Sequence, residues 1–319
     1  MGKYVIRRVL ISIPTLLVIS FVVFAVLALA PGDPLSQFAA NPAVPPEVRE
    51  NIKHSLGLDQ PWTIRYVKWL WSVLHGDLGW SFASRIPVMV LILQRLPNTL
   101  AVLGISYVIS IAIALPLGVI SAVKRNTIFD YLATGLTFIG FSTPTFFSGI
   151  LLILLFSIKL HWFPFIYDST LHVHDFPTFF QQLRQSIMPI TVLTFFQTAT
   201  LARFVRAEML ENLPQDYVRT ARSKGLQEGV VVVRHVVRNS LIPVVTLVAL
   251  GVPTVFAGAV ITEQIFRVPG IGDLLIHSIQ DNDTPVVMAV TFIFAVLVVF
   301  FNLIADLVYG LVDPRIRYS

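Results

Sequence analysis

Residues 216–243 read DYVRTARSKGLQEGVVVVRHVVRNSLIP and lie between two apolar runs, 185–202 and 240–262, reaching into the second. The stretch carries Arg219, Arg222, Lys224, Arg234 and Arg238, with one sharp break at Gly225. Ordering a charged helix–Gly–helix insert costs conformational entropy. In so hydrophobic a chain, docking of a soluble protein from the cytoplasm is the natural way to offset that cost. Tyr217, Ala221 and Leu226 are expected to bury one side of a short helix, leaving Arg219, Arg222 and Ser223 exposed. Gly225 then permits a reversal, as glycines at helix C-termini do. Arg234 and Arg238 stand four apart on the returning segment, where lipid phosphate is a second partner to consider.

The rest of the chain supplies the membrane. Of 319 residues, 55% are hydrophobic and 13% charged, about half the charge of a soluble domain. Six runs without Asp, Glu, Lys or Arg approach or exceed the roughly 20 residues a spanning helix needs: 9–30, 98–123, 131–158, 185–202, 240–262 and 285–305. They are continuously apolar rather than alternating, which favours helices over a barrel. The first run is longer than a cleavable signal peptide requires, and Pro31 would follow the cut after Ala28-Leu29-Ala30, so it reads as an uncleaved anchor. Fourteen of the 23 Lys and Arg fall on one side if the N-terminus is cytoplasmic, including Lys124 and Arg125 in the shortest loop. The positive-inside rule therefore predicts six spans, N-in and C-in. It also accounts for the net charge of +5 without invoking nucleic acid.

Segment 31–97 reads as an extracytoplasmic loop with a small helical cap at 64–74, where Tyr66, Trp69, Trp71 and Leu74 suit an outer membrane surface or a docking platform for an extracytoplasmic partner. The loop 263–284 holds Glu263, Phe266, Pro269, Gly270 and Gly272. Its turns and its apolar Ile265, Phe266 and Leu274 predict that it folds back toward the pore mouth. Inside the spans, Ser142-Thr143-Pro144-Thr145 with Phe146 and Phe147 is one polar, helix-disturbing cluster, and 194–198, with Phe195 and Gln197, a second. Both helix packing and lining of a path fit them.

Several chemistries are excluded. There is no GxxxxGK[ST] loop to hold ATP and no HExxH. Gly140-Phe141-Ser142-Thr143 is similar to the serine motif of intramembrane proteases, but all seven His fall in loops, out of reach as a base. His172-Val-His174-Asp175 reads as a polar patch, because no further metal ligand is apparent, and Cys is absent. The runs contain no ionisable residue before Asp306, near the end of the last, so an ion-coupled carrier acting alone is hard to motivate.

Seven motifs, in order, resemble the permease subunits of ATP-binding-cassette importers for dipeptides and oligopeptides. They are Pro31-Gly32-Asp33-Pro34, Gly76-Asp77-Leu78-Gly79, Arg95-Leu96-Pro97-Asn98-Thr99, Ser142-x-Pro144-x-Phe146, Asp216 with Tyr217-Val218-Arg219-Thr220-Ala221-Arg222-Ser223-Lys224-Gly225, Glu263-x-x-Phe266-x-x-Pro269-Gly270-x-Gly272, and the tail from Asn302 to Asp313-Pro314-Arg315. Importers in general carry Glu-Ala-Ala-x3-Gly at the coupling segment. Here Arg219 stands for the Glu and Thr220 for the first Ala, as is usual in the peptide branch.

The resemblance implies an all-α membrane protein of the type I importer fold. Its parts would be an anchor (1–30), a cap (31–97), a transmembrane domain (98–313) with a cytoplasmic coupling loop (203–239), and a tail (314–319). It implies a second homologous permease, two cytoplasmic ATP-binding subunits that hold ATP and Mg, and an extracytoplasmic solute-binding protein. This chain would be no enzyme and carry no cofactor or metal. Relatives also carry nickel chelates, glutathione or other small solutes, so these stay open beside peptides. A stand-alone secondary transporter is the remaining alternative.

Overall fold

A continuously apolar stretch in a bilayer satisfies its backbone only by closing its hydrogen bonds within itself, and the described parts of the six runs do so as helix, the third with one break at Thr143-Pro144. The structure, a computed structural model, describes residues 2–29, 59–168 and 174–312, with the isolated positions 47, 50, 54, 57 and 171, and describes only the backbone at 2–5, 253–258 and 308–312. The 31–34 motif, His172 and the tail from Asp313 lie outside the described residues.

Among the described residues the regular structure is helical, apart from one isolated bridge between Trp80 and Pro87. The helices are α1 (Gly2–Leu29), α2 (Trp62–Leu74), α3 (Val88–Val123), α4 (Ile128–Ser142), α5 (Thr145–Leu152), α6 (Phe176–Asn212), α7 (Asp216–Ser223), α8 (Glu228–Val230), α9 (Arg238–Phe266), α10 (Ile271–Gln280) and α11 (Thr284–Val312). Five segments among the described residues are long and apolar enough to cross a membrane: Ile6–Leu29, Val88–Val123, Phe176–Asn212, Glu228–Val252 and Thr284–Leu307. A pair, Ile128–Ser142 and Thr145–Lys159, bent by 103°, meets the same criterion together and makes six when counted as one span.

That bend sharpens the kink expected at Pro144. The proline is the N-cap of α5, with its carbonyl accepting from Phe147 and Ser148 N–H, while the Thr143 hydroxyl donates 2.7 Å back to the Ile139 carbonyl and satisfies the end of α4. After α5 the chain continues as a π turn, Ile153–Lys159.

The helices outrun the apolar runs. α6 starts nine residues before its run and ends ten after it, because Asp175 caps it: its carboxylate accepts from the Thr178 N–H at 2.9 Å in a reciprocal capping box. The Thr178 hydroxyl and N–H hold the Asp175 carboxyl below the usual aspartate range. α3 likewise begins ten residues early and takes in Arg95.

The described chain divides into two units, 99–268 with 300–312 and 2–98 with 269–299. In the first, α6 packs on both α4 and α9, and α3, α6, α7 and α9 contribute to a core around Val205, Met209, Val218, Ala221, Val231 and Val236. Gly118 of α3 is a point of closest approach: a Cβ there would lie 2.7 Å from the Ala202 carbonyl and 2.7 Å from Val205 Cβ. In the second, Val88, Ile92, Ile271, Val286, Ala289 and Val290 form the core, all buried.

Candidate functional site

α7 forms at the predicted place, but its buried face differs from the expected one. Val218 and Ala221, three apart, are buried, while Tyr217 and Leu226 are exposed. A three-residue step keeps both side chains over the core of α6 and the returning segment. Tyr217, one position earlier, points sideways and donates through Oη to Asn212 Oδ1 at 2.6 Å. Partial burial raises the Tyr217 phenol above its ordinary value. Leu226 lies past the reversal. Arg219, Arg222 and Ser223 are exposed as expected, and so are Asp216 and Thr220. Arg219 reaches Asp216 at only 3.7 Å, and the Thr220 hydroxyl bonds the Asp216 carbonyl at 2.9 Å.

The helix ends because Lys224 caps it and Gly225 adopts φ +77°, a left-handed conformation that side chains resist. The Gly225 N–H closes on the Arg222 carbonyl at 2.9 Å. Across the turn, Arg222 donates to Glu228 through two of its nitrogens, Nε to Oε2 at 3.0 Å and Nη2 to Oε1 at 2.6 Å. Sequence reasoning missed Glu228, although a carboxylate opening α8 just past a basic helix end was there to be read. The pair raises the Arg222 guanidinium. Beyond it, Val231–Val237 is a π stretch. Its wider turn brings Val231 and Val236, five apart, onto one buried side. Arg234 and Arg238 remain exposed.

A buried ion pair stands at the base of this unit, and the apolar-run criterion missed it. The Asp130 carboxylate accepts from Arg206 Nε at 2.7 Å and Nη2 at 2.8 Å, from the Asn126 N–H at 3.0 Å and from the Ser121 hydroxyl. The pair ties the 124–126 turn and α4 to α6, one turn before Met209 in the core under α7. The apolar runs themselves hold no ionisable residue; Asp130 and Arg206 stand just outside them, on helices that extend past the runs.

The two polar clusters of the spans do not line one cleft. Thr194, Phe195 and Thr198 line a cleft of about 440 Å³ with Ile109, Leu136 and Thr137. Gln197 turns from that cleft, where its Oε1 accepts from the Ser110 hydroxyl at 3.3 Å, and its Nε2 is buried without a partner. Ser142, Pro144 and Phe146 are exposed at the break between α4 and α5 and do not line the cleft.

The 263–272 motif is packed rather than open. Glu263 is buried and its Oε1 accepts from the Thr99 hydroxyl at 2.6 Å, while Phe266 lies 3.3 Å from the Cβ position of Gly149. In the other unit, Asn98 Nδ2 donates 3.0 Å to the Pro269 carbonyl, Gly270 is the N-cap of α10, and Arg95 pairs with Asp273 at 3.3 Å. Gly272, in the first turn of α10, is buried. Within each unit the motif residues are packed, and the loop contains a helix, α10, that its Pro and Gly concealed. Among the described residues no cluster of three or more His, Asp or Glu could hold a metal.

Residues 114–318 match the family described as binding-protein-dependent transport system inner membrane component, and residues 1–103 match its N-terminal counterpart. Over 319 residues, and all of both chains, the protein is 42% identical to the oligopeptide transport system permease protein AppB of Bacillus subtilis. It is 38% identical, again over both full lengths, to the dipeptide transport system permease protein DppB of Escherichia coli. Two solved transporters share the fold. One is the methionine ABC transporter MetNI in inward-facing conformations (TM-score 0.57, 19% identity, 70% of this chain and 97% of that one). The other is an amino acid ABC transporter with histidines (TM-score 0.54, 13% identity, 69% and 92%). In this family the permease works with ATPase and binding-protein partners, and ATP hydrolysis lies in those partner subunits. A chain of spanning helices matched from end to end in this way belongs to the binding-protein-dependent transport system inner membrane components, the multi-pass permease subunits of ATP-binding-cassette importers in the cytoplasmic membrane.

Proposed function

We propose that the chain is one of two pore-forming permeases of an importer for dipeptides or oligopeptides. The observation that carries this reading is the full-length 42% identity to an oligopeptide permease. In it, a homologous permease supplies the other half of the path, two cytoplasmic ATPases bind ATP and Mg, and an extracytoplasmic binding protein delivers the substrate. The chain runs N-in and C-in and needs no cofactor of its own. The membrane domain is 98–313, and the coupling loop is 203–239.

α7 enters a cleft of one ATPase and presents Asp216, Arg219, Arg222 and Ser223. Val218 and Ala221 hold it to the membrane helices, so closure of the ATPases moves the helix as a lever and opens the path outward. Hydrolysis resets it. Ser142, Pro144, Phe146, Phe195 and Gln197 face the path in one or other state, and Glu263, Phe266, Pro269, Gly270 and Gly272 shape its outer gate. The assay is uptake of labelled di- and oligopeptides by cells lacking other peptide importers. Uptake that requires this chain supports the reading. Loss of nickel-chelate or glutathione uptake with peptide uptake intact would move the substrate to those solutes. Flux by the chain alone, driven by an ion gradient, would overturn the importer reading.

A further inference from the structure

The position of α2 against its neighbours departs from a cap resting on the membrane surface. Tyr66 Oη bonds Ser20 Oγ of α1 at 2.9 Å, and Phe21 and Phe24 of α1 meet Tyr66 edge to face at 5.2 and 5.5 Å. Trp69 packs on Phe24 at 5.8 Å and on Phe292 of α11 at 5.5 Å. Phe21 is eight residues inside the apolar end at Leu29, and Phe292 eight residues inside the end at Thr284. At a rise of roughly 1.5 Å per residue, each contact lies about 12 Å below the end of its spanning segment. Two helices therefore give the same depth independently. The two apolar segments are each 24 residues long, about 36 Å at that rise, and overshoot a hydrocarbon core of about 30 Å by only a few ångströms at either end.

The other side of α2 suits that depth. Ile64, Val67, Trp71 and Leu74 form one stripe and expose 47, 64, 66 and 71% of their surface. No charge interrupts the stripe. Lys68, at its edge, is drawn off by Gln60 Oε1 at 2.8 Å, and Arg65 lines a cleft with Asp77. Val18, Val22 and Val26 of α1, a spanning helix, are exposed in the same way. An apolar stripe in water would be a liability, whereas acyl chains cover it at no cost in polar groups, with Trp71 suited to the interfacial end.

We propose that α2 is sunk into the bilayer leaflet on the side of Leu29 and Thr284, with Ile64, Val67, Trp71 and Leu74 packed against lipid acyl chains. The partner of this surface is phospholipid, not a soluble protein. The inference concerns a surface apart from the coupling unit and holds whichever solute is carried.

The chain has no cysteine, so single nitroxide labels can be placed at Val67→Cys and Leu74→Cys in the full chain reconstituted in phosphatidylethanolamine–phosphatidylglycerol vesicles. Collision with oxygen, against collision with a water-soluble nickel chelate, reports depth. The expected ratio matches that at Val22→Cys, at a similar depth on α1, and is several-fold above that at Lys124→Cys, on an exposed turn. A ratio equal to that at position 124 would overturn the proposal in favour of a water-exposed face. Exclusion of both reagents would overturn it in favour of a protein-covered face. Should a labelled chain fail to insert, wild type and Trp71→Phe can be compared in acyl-brominated lipid. Loss of a strongly quenched emission component supports the proposal, and identical quenching refutes it.

Discussion

The Asp130–Arg206 pair allows a quantitative test of how the helices under α7 are held. Asp130→Asn keeps the side-chain shape but removes the charge and turns one acceptor into a donor facing either Arg206 or the Asn126 N–H and Ser121 hydroxyl. Breaking a buried pair from one side costs about 3–5 kcal/mol. The Arg206 side chain is 27% exposed and can recover some hydration, which places the loss near the lower end, about 3 kcal/mol. Arg206→Gln is expected to cost a similar amount, because it strands a carboxylate only 3% exposed. The double variant leaves two neutral amides able to bond each other and should fall short of the sum by about 2 kcal/mol. Thermal unfolding of the detergent-solubilised chain reads this directly, each single change lowering Tm by about 6–9 °C at two to three degrees per kcal/mol. Single losses below about 1 kcal/mol, the value of an exposed pair, or strict additivity in the cycle, would refute the claim that this pair braces α4 and the 124–126 turn against α6.

Gly225→Ala meets no neighbour within 4 Å, so its cost is the backbone's alone, about 1–2 kcal/mol for a side chain at φ +77°; Gly225→Asn, which tolerates that conformation, should be milder. Gly225→Pro cannot adopt it and loses the bond to the Arg222 carbonyl, and the chain is expected to insert while ATP hydrolysis proceeds without peptide uptake. Ala221→Asp puts a carboxylate into the core under α7 and should uncouple hydrolysis from uptake in the same assay; unchanged uptake in either variant would count against the lever. Gly118→Ala drives a methyl into the Ala202 carbonyl and Val205, and should cost about 1–3 kcal/mol as overpacking, read as a lower Tm with no change in membrane insertion. For Asp175, whose carboxyl is held below its ordinary value, the capping contribution is present above the unfolded aspartate range and lost as pH falls through the lower folded value; Asp175→Ala should therefore lower Tm at neutral pH, with the difference from wild type vanishing in strong acid.

Positions of the spans were legible because the bilayer imposes a length on any apolar run, and the described parts of the six runs fall in α1, α3, the α4–α5 pair with its π turn, α6, α9 and α11. Where each helix stops was less so, since a helix continues for as long as its ends are capped. Asp175 and Thr178, the signal that lengthens α6, stand outside the apolar window. α10 was hidden by Pro269 and Gly270, read as turns when Gly270 is in fact the helix N-cap. The face of α7 was misjudged by choosing Tyr217 and Leu226 for their size, when the three-residue step from Val218 to Ala221 decides what is buried. The Asp130–Arg206 pair joins residues 76 apart, and no local pattern announces such a contact. Serine and glutamine in the spans stayed ambiguous for a related reason: which side of a helix meets protein depends on its neighbours, so Gln197 parts from Phe195 only once Ser110 is in place beside it.

A coupling element has to be stiff at its root and ordered at its exposed end, and α7 meets both requirements by different means. At eight residues it is too short to hold itself in water. Its root is therefore the apolar seat of Val218 and Ala221 on Val205, Met209 and Val231. Its exposed end is fixed by the left-handed Gly225 and the two-pronged Arg222–Glu228 bridge. That bridge is exposed and worth little in free energy, so its contribution is the direction of the turn rather than stability. Replacing Glu228 with Gln should then leave Tm almost unchanged while lowering peptide transport per ATP hydrolysed. If transport and hydrolysis fall together, or not at all, the bridge has no part in transmitting the motion and the apolar seat alone carries it.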